Sequence, residues 1–226
     1  MSSVRETMVF YTVWLVLALG YVLNMTYNWF IPEVNWVFKP LPVVLLALWV
    51  WRKTPDDALQ HKPWIILALL CSAVGDVMLL MEDRFLYGLL AFLLAHLFYL
   101  RIFAQASSMA HIRWLVVMVI ICGLLLGGYL LLPSVTGQLQ IAVVSYMSVI
   151  GLMAIFAVLC KRVHWVAIPG VLAFLFSDLL LGYHILVSPV AWGDQGIMGS
   201  YYAAQFLLAH SVVWYKEPLE DPFAVA

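Results

Sequence analysis

The chain has 226 residues, of which 65% are hydrophobic and only 10% charged, and its net charge is −1. A soluble domain of this length needs far more surface charge, so the composition indicates an integral membrane protein, and the charge balance gives no reason to expect a nucleic-acid partner. The three cysteines, Cys71, Cys122 and Cys160, sit singly in apolar runs, as expected of buried small hydrophobes rather than disulfides or metal ligands.

A bilayer core of ~30 Å needs about 20 apolar residues per helix. In chain order the sequence predicts an all-α bundle of eight transmembrane helices, near 8–24, 36–51, 64–81, 86–105, 113–132, 139–160, 164–186 and 197–215, forming one transmembrane domain. The first run follows Arg5 and is not succeeded by a small-x-small cleavage site, so it reads as an uncleaved span. Polar or turn-forming stretches end the others, among them Arg52–Asp57, Glu82-Asp83-Arg84, Pro133-Ser134, Lys161-Arg162 and Ser188–Gly196. Residues 216–226 read as a short disordered tail.

Eight spans bring Arg5, Arg52, Lys53, Lys62, Arg101, Arg113, Lys161, Arg162 and Lys216 to one face and leave Lys39 and Arg84 on the other. That asymmetry predicts cytoplasmic N and C termini, with a bacterial cytoplasmic membrane as the expected location. Trp36, Trp64, Trp114, Trp165, Trp214 and Tyr215 near span ends fit an interfacial belt. Phe92-Leu93-Leu94-Ala95-His96 recurs as Phe206-Leu207-Leu208-Ala209-His210, each after a span carrying a small residue and an aspartate. A 4+4 parallel repeat would produce this pattern.

Asp76 and Asp178 lie inside otherwise apolar spans, where a carboxylate costs a few kcal/mol and usually faces a bundle interior or wet cavity. Helix rise puts Lys39 roughly 5 Å from the outer end of its span, Asp76 and Tyr202 roughly 8 Å, Tyr146 roughly 10 Å, Asp178 and Gln205 roughly 12 Å, and His96 roughly 15 Å. His96 and Tyr99 share a helix face, as do Tyr201, Tyr202 and Gln205. Taken singly, such groups are usually inter-helix glue, and Lys39 beside Pro40 is also placed to snorkel to the headgroups. Their convergence with two acids predicts a shared polar pocket in the outer half of the bilayer.

Phe38-Lys39-Pro40-Leu41, Gly75-Asp76-Val77-Met78-Leu79, Gly88–Phe92 running to His96 and Tyr99, Phe176-Ser177-Asp178 and Tyr201-Tyr202-Ala203-Ala204-Gln205 occur in that order. In these stretches the chain resembles the lysoplasmalogenase-like, YhhN-type family of multi-pass membrane proteins. The resemblance implies an eight-helix enzyme that hydrolyses the vinyl ether bond of lysoplasmalogens. Its products would be a fatty aldehyde and glycerophosphoethanolamine or glycerophosphocholine. It also implies functional roles for Lys39, Asp76, His96, Tyr99, Ser177, Asp178, Tyr202 and Gln205, with a lysophospholipid substrate and no cofactor or metal.

The chemistry independently suits two carboxyls. Vinyl ether hydrolysis begins with protonation of the β-carbon, and water captures the resulting oxocarbenium ion. A carboxyl that holds its proton can supply it, while an ionised partner steadies the cation and activates the water, as in glycoside hydrolysis. Asp76 and Asp178 are the expected pair, with Lys39 a point charge for the substrate phosphate. Ser177 is expected to ease helix packing or donate to a carboxylate. Two other readings use the same residues. One is a zinc-dependent lipid amidase of the ceramidase type, with His96, His184 and His210 near an aspartate, although no His-x-x-x-His pair occurs. The other is a proton-coupled carrier of small molecules or lipids, although no matching helix interruptions appear in the two halves.

Overall fold

The computed structural model describes residues 2–29, 31–55, 58–81, 83–104, 111–160 and 163–214. Asp56, Asp57, Glu82, Lys161, Arg162, Tyr215 and the 216–226 tail, all invoked above, lie outside the described residues. The elements are α1 (Ser2–Tyr27), α2 (Pro32–Phe38), α3 (Leu41–Lys53), α4 (Lys62–Met78), α5 (Phe85–Phe103), α6 (His111–Leu131), α7 (Gly137–Leu159), α8 (Ala167–Leu186) and α9 (Gly193–Val213). A 3₁₀ turn, Leu132–Ser134, leads from α6 toward α7. Each predicted span falls on a helix, the second on the α2–α3 pair, and no strand occurs among the described residues.

The second span is broken where proline demands it. Pro40 and Pro42 have no N–H to give, and both Val43 and Val44 donate to the Pro40 carbonyl. The Lys39 carbonyl is thereby released from the helical ladder and is free for a side chain elsewhere. The break also carries Lys39 itself, which is only 7% exposed and does not snorkel outward.

Contacts between helix ends define two faces. On one, Lys53 Nζ meets Glu6 Oε2 at 3.0 Å, Arg113 donates to the carbonyls of Val158 and Cys160, and the His164 N–H donates to the Ser211 carbonyl. This basic face gathers the start of α1 and α6 and the ends of α3, α7 and α9. On the opposite face Asn24 donates to Asn35, and Gln195 to Thr26.

Among the described residues six segments are long and apolar enough to cross a membrane: Val4–Tyr27, Glu33–Lys53, Phe85–Phe103, Arg113–Ser134, Gly137–Leu159 and Ala167–Leu186. The helices outside that set are α4, with 17 residues, and α9. Helix α9 packs on α1, α3, α4 and α8 and buries Tyr201, Tyr202, Gln205 and His210. A helix enclosed by other helices can carry polar groups that a lipid-facing one cannot. Helix α6 is the converse: Leu115, Met118, Val119, Leu125, Leu126 and Tyr129 are all exposed, as is Cys122. The expectation of a buried thiol therefore fails at Cys122, which lies on the outward face of α6.

Small residues set the closest helix approaches. The Phe92 ring occupies the space above Gly75, so that an added Cβ would stand 2.6 Å from it, and Leu79 covers Gly88 in the same way. Gly75→Leu should therefore lower unfolding stability by about 1–3 kcal/mol through overpacking. Gly20, with nothing within 4 Å of its Cβ position, should tolerate the same change. Thermal unfolding of the two purified variants in detergent checks this.

Candidate active site

Asp178 stands on α8, one turn past Phe174. Its Oδ2 accepts a 2.6 Å hydrogen bond from the Tyr146 hydroxyl of α7, and His96 Nε2 of α5 lies 3.7 Å from the same oxygen. His96 is fully buried, and its Nδ1 donates to the Phe92 carbonyl at 2.6 Å. A carbonyl only accepts, so Nδ1 carries the hydrogen and Nε2 is the nitrogen that faces the carboxyl. The 3.7 Å gap is longer than a hydrogen bond. The imidazole is held edge-on by Tyr146 and Phe174, with centroids 5.2 and 4.7 Å away.

Asp76, on α4, is 1% exposed. Its Oδ2 accepts a 2.8 Å hydrogen bond from the Tyr201 hydroxyl of α9. The buried Lys39 ammonium interacts with it electrostatically, without a direct ion pair among the described residues. The neighbouring Tyr202 hydroxyl donates at 2.7 Å to the Lys39 carbonyl that the prolines release. One turn further along α9, Gln205 accepts a 2.6 Å hydrogen bond from Tyr99 of α5, while its Nε2 has no partner among the described residues. Ser177 donates to the Ile197 carbonyl at 2.9 Å, so it braces α8 against α9 and is not spent on a carboxylate.

The two acids share a depth but not a chamber. Tyr201, bonded to Asp76, packs edge-on against Phe92 and Phe174, each at 5.7 Å, and Phe174 in turn packs on His96. This aromatic layer separates the Lys39–Asp76–Tyr201 group from the His96–Tyr146–Asp178 group. A cavity of about 320 Å³ lies among α5, α6, α7 and α8, capped by Leu79 just past the end of α4. Its wall is hydrocarbon and aromatic apart from Tyr146 and Asp178, and neither Asp76 nor Lys39 lines it. Asp178 keeps 13% of its side chain exposed there. The expected single pocket thus resolves into two groups, because helix rise fixes the level of a residue but not the direction in which it faces.

The histidines weighed for zinc do not meet. His184 accepts from the Val190 N–H at 2.9 Å and faces Asp194 at the α8–α9 turn, and His210 stacks on Phe206 beside Tyr11 and Trp214. Among the described residues no three His, Cys, Asp or Glu side chains form a group able to hold a metal. Sequence reasoning passed over Tyr201 as the donor to Asp76, although the Tyr-Tyr doublet was available as a signal. It had none for Phe92 and Phe174, whose partitioning role is invisible in an apolar run.

Fold and site together define an integral, multi-pass membrane protein that encloses ionisable groups within its helices and opens one of them onto an apolar cavity. The chain belongs to the YhhN family, whose profile matches residues 34–212. It is 32% identical over 202 residues to lysoplasmalogenase TMEM86A of Bos taurus, covering 83% of this chain and 82% of that protein. It is likewise 32% identical over 199 residues to the Homo sapiens TMEM86A lysoplasmalogenase, 83% of this chain and 81% of that one. Lysoplasmalogenase TMEM86B of Mus musculus shows 30% identity over 189 residues, 81% and 78% of the respective chains. No solved structure matches the chain.

The two acids should respond differently to loss of their phenols. Tyr201→Phe strands a carboxyl that has no other described donor and almost no exposure, which should cost about 1–3 kcal/mol of stability. Tyr146→Phe should cost less, because Asp178 retains its face on the cavity. Parallel thermal unfolding measurements decide this, and equal losses would contradict the distinction.

Proposed function

We propose that this protein is a membrane-embedded hydrolase that cleaves the vinyl ether bond of lysoplasmalogens. The observation that carries the reading is Asp178: one carboxyl, backed by a phenol and an imidazole, facing an apolar cavity. The lysoplasmalogenase relatives support the same substrate class.

In the proposed reaction Asp178 delivers a proton to the β-carbon of the alkenyl chain, and the α-carbon becomes an oxocarbenium ion. Water adds there and loses a proton to the site, and the resulting hemiacetal collapses to a fatty aldehyde and the free glycerol hydroxyl. One water is consumed and the proton is returned, so the carboxyl acts as acid and then base. His96, with its Nδ1 committed to Phe92, keeps its unprotonated Nε2 facing the Asp178 carboxyl. Tyr146 fixes the carboxyl's orientation. The hydrocarbon wall favours the alkenyl chain by roughly 0.8 kcal/mol for each methylene taken from water.

Asp76 enters this scheme as a positioning residue. It holds Tyr201, whose ring backs Phe92 and Phe174, and shares its enclosed surroundings with Lys39. Tyr202 fixes the backbone at Lys39, Gln205 and Tyr99 tie α9 to α5, and Ser177 ties α8 to α9. For the whole chain we propose eight spans, with α4 the short one, α9 the enclosed one and both termini cytoplasmic. Arg5, Lys53 and Arg113 on the basic face support that orientation.

Asp178→Asn should lower fatty aldehyde release from lysoplasmalogen by at least ~100-fold while preserving the fold, and the saturated ether analogue should yield none with any variant. Asp76→Asn should retain more turnover than Asp178→Asn. Aldehyde-coupled assays on purified protein check both, and a near-wild-type rate for Asp178→Asn removes it from the mechanism. In vesicles of known sidedness, tags on the two termini should be cleaved by protease together or not at all.

A further inference from the structure

Helices α6 and α8 run in the same direction, both starting from the basic face. Toward the opposite face they touch: a Cβ on Gly127 would stand 3.2 Å from Leu179 Cδ1, and one on Gly182 would stand 2.9 Å from Leu131 Cδ1. One turn closer to the basic face the contact ends. Gly123 lines the cavity, is exposed, and has no atom within 4 Å of its Cβ position. Val119 and Phe176, at neighbouring levels of the two helices, belong to the same cavity lining and are 63% and 50% exposed.

Resting on the vinyl ether reading, we infer that this gap is a lateral portal, framed by Val119, Gly123 and Phe176, through which the substrate's hydrocarbon chain passes between the bilayer and Asp178. A residue that both lines a cavity and stands on the outer surface of an apolar helix is at a rim. This rim faces the lipid-side surface of α6, where Leu115, Met118, Leu125 and Leu126 are exposed. Its occupant is a single alkyl chain, since the cavity behind it offers Tyr146 and Asp178 as polar side chains and otherwise hydrocarbon and aromatic surface. Asp178 lies at the level of the Gly127–Leu179 contact, about one turn or roughly 6 Å from Gly123 along the helix axis. The carbons beyond the vinyl ether therefore reach the gap while the headgroup stays toward the opposite face. Glycine at 123 keeps the gap open, because any larger side chain projects into it.

Gly123→Phe tests this without threatening the fold, since the substituted position is unobstructed. Against long-chain lysoplasmalogen in mixed micelles, kcat/KM should fall by at least about tenfold, while a short, water-soluble alkenyl ether should be turned over as by the wild type. Gly20→Phe, an equally unobstructed glycine on α1, should leave both rates unchanged. Equal rates for Gly123→Phe and wild type on both substrates, or equal losses on both, overturn the portal and leave the reaction standing. If the wild type releases no aldehyde, the reaction fails instead. The portal is then read from a bimane label on Gly123→Cys in a C71A/C122A/C160A background. Lysophosphatidylcholine brominated on its chain should quench it more strongly than the same label at Gly20→Cys, and equal quenching overturns the proposal.

Discussion

A carboxyl enclosed by hydrocarbon must find its hydrogen-bond donor inside the protein, and the arrangement of this bundle follows from that demand. Asp76 of α4 finds it in Tyr201 of α9. Asp178 of α8 finds it in Tyr146 of α7 and faces His96 of α5. The first acid is thus answered across the halves of the chain by the last helix, and the second by the helix just before its own. Phenols suit this work, because the ring packs like any core aromatic while its hydroxyl reaches a partner. The enclosure of α9 by protein also accounts for its composition: polar groups are tolerated on a helix that meets little lipid.

Two acids at one depth have different surroundings, and this separates their capacities. Asp76 is buried against Tyr201 and the aromatic layer and does not line the cavity. Asp178 is braced on one side and open on the other. An acid that protonates carbon needs both conditions, since the brace holds its orientation and the open side admits the reacting bond. The imidazole completes the arrangement without touching the carboxyl, at a separation that a modest shift of either group would close.

Much of this was legible in the sequence because charge in an apolar run is conspicuous. Asp76, Asp178, His96 and Lys39 stand out against their neighbours, and the placement of spans followed from runs of sufficient length between polar stops. The break at Pro40 lay in plain view, though not its consequence, the liberated Lys39 carbonyl that Tyr202 takes up. What stayed hidden was azimuth. Helical spacing tells which residues of one helix share a face, but which neighbour that face meets depends on packing among eight others. Phe92 and Phe174 look like ordinary core residues until their rings are found between the acids. Gly123 is equally silent, since a glycine in a membrane helix more often marks close packing than open space.

The concentration of partners on α9 bears on how such a protein is made. Tyr201, Tyr202 and Gln205 answer Asp76, the Lys39 carbonyl and Tyr99, groups that leave the ribosome more than a hundred residues earlier. Until the final helix emerges, the first half holds a carboxyl and a phenol whose partners do not yet exist. Those groups must be sheltered meanwhile by the insertion machinery or by water drawn into the nascent bundle. Closure is therefore a late event in biosynthesis, and a chain released before α9 is complete carries its unmet polar groups as a mark that quality-control proteases can read.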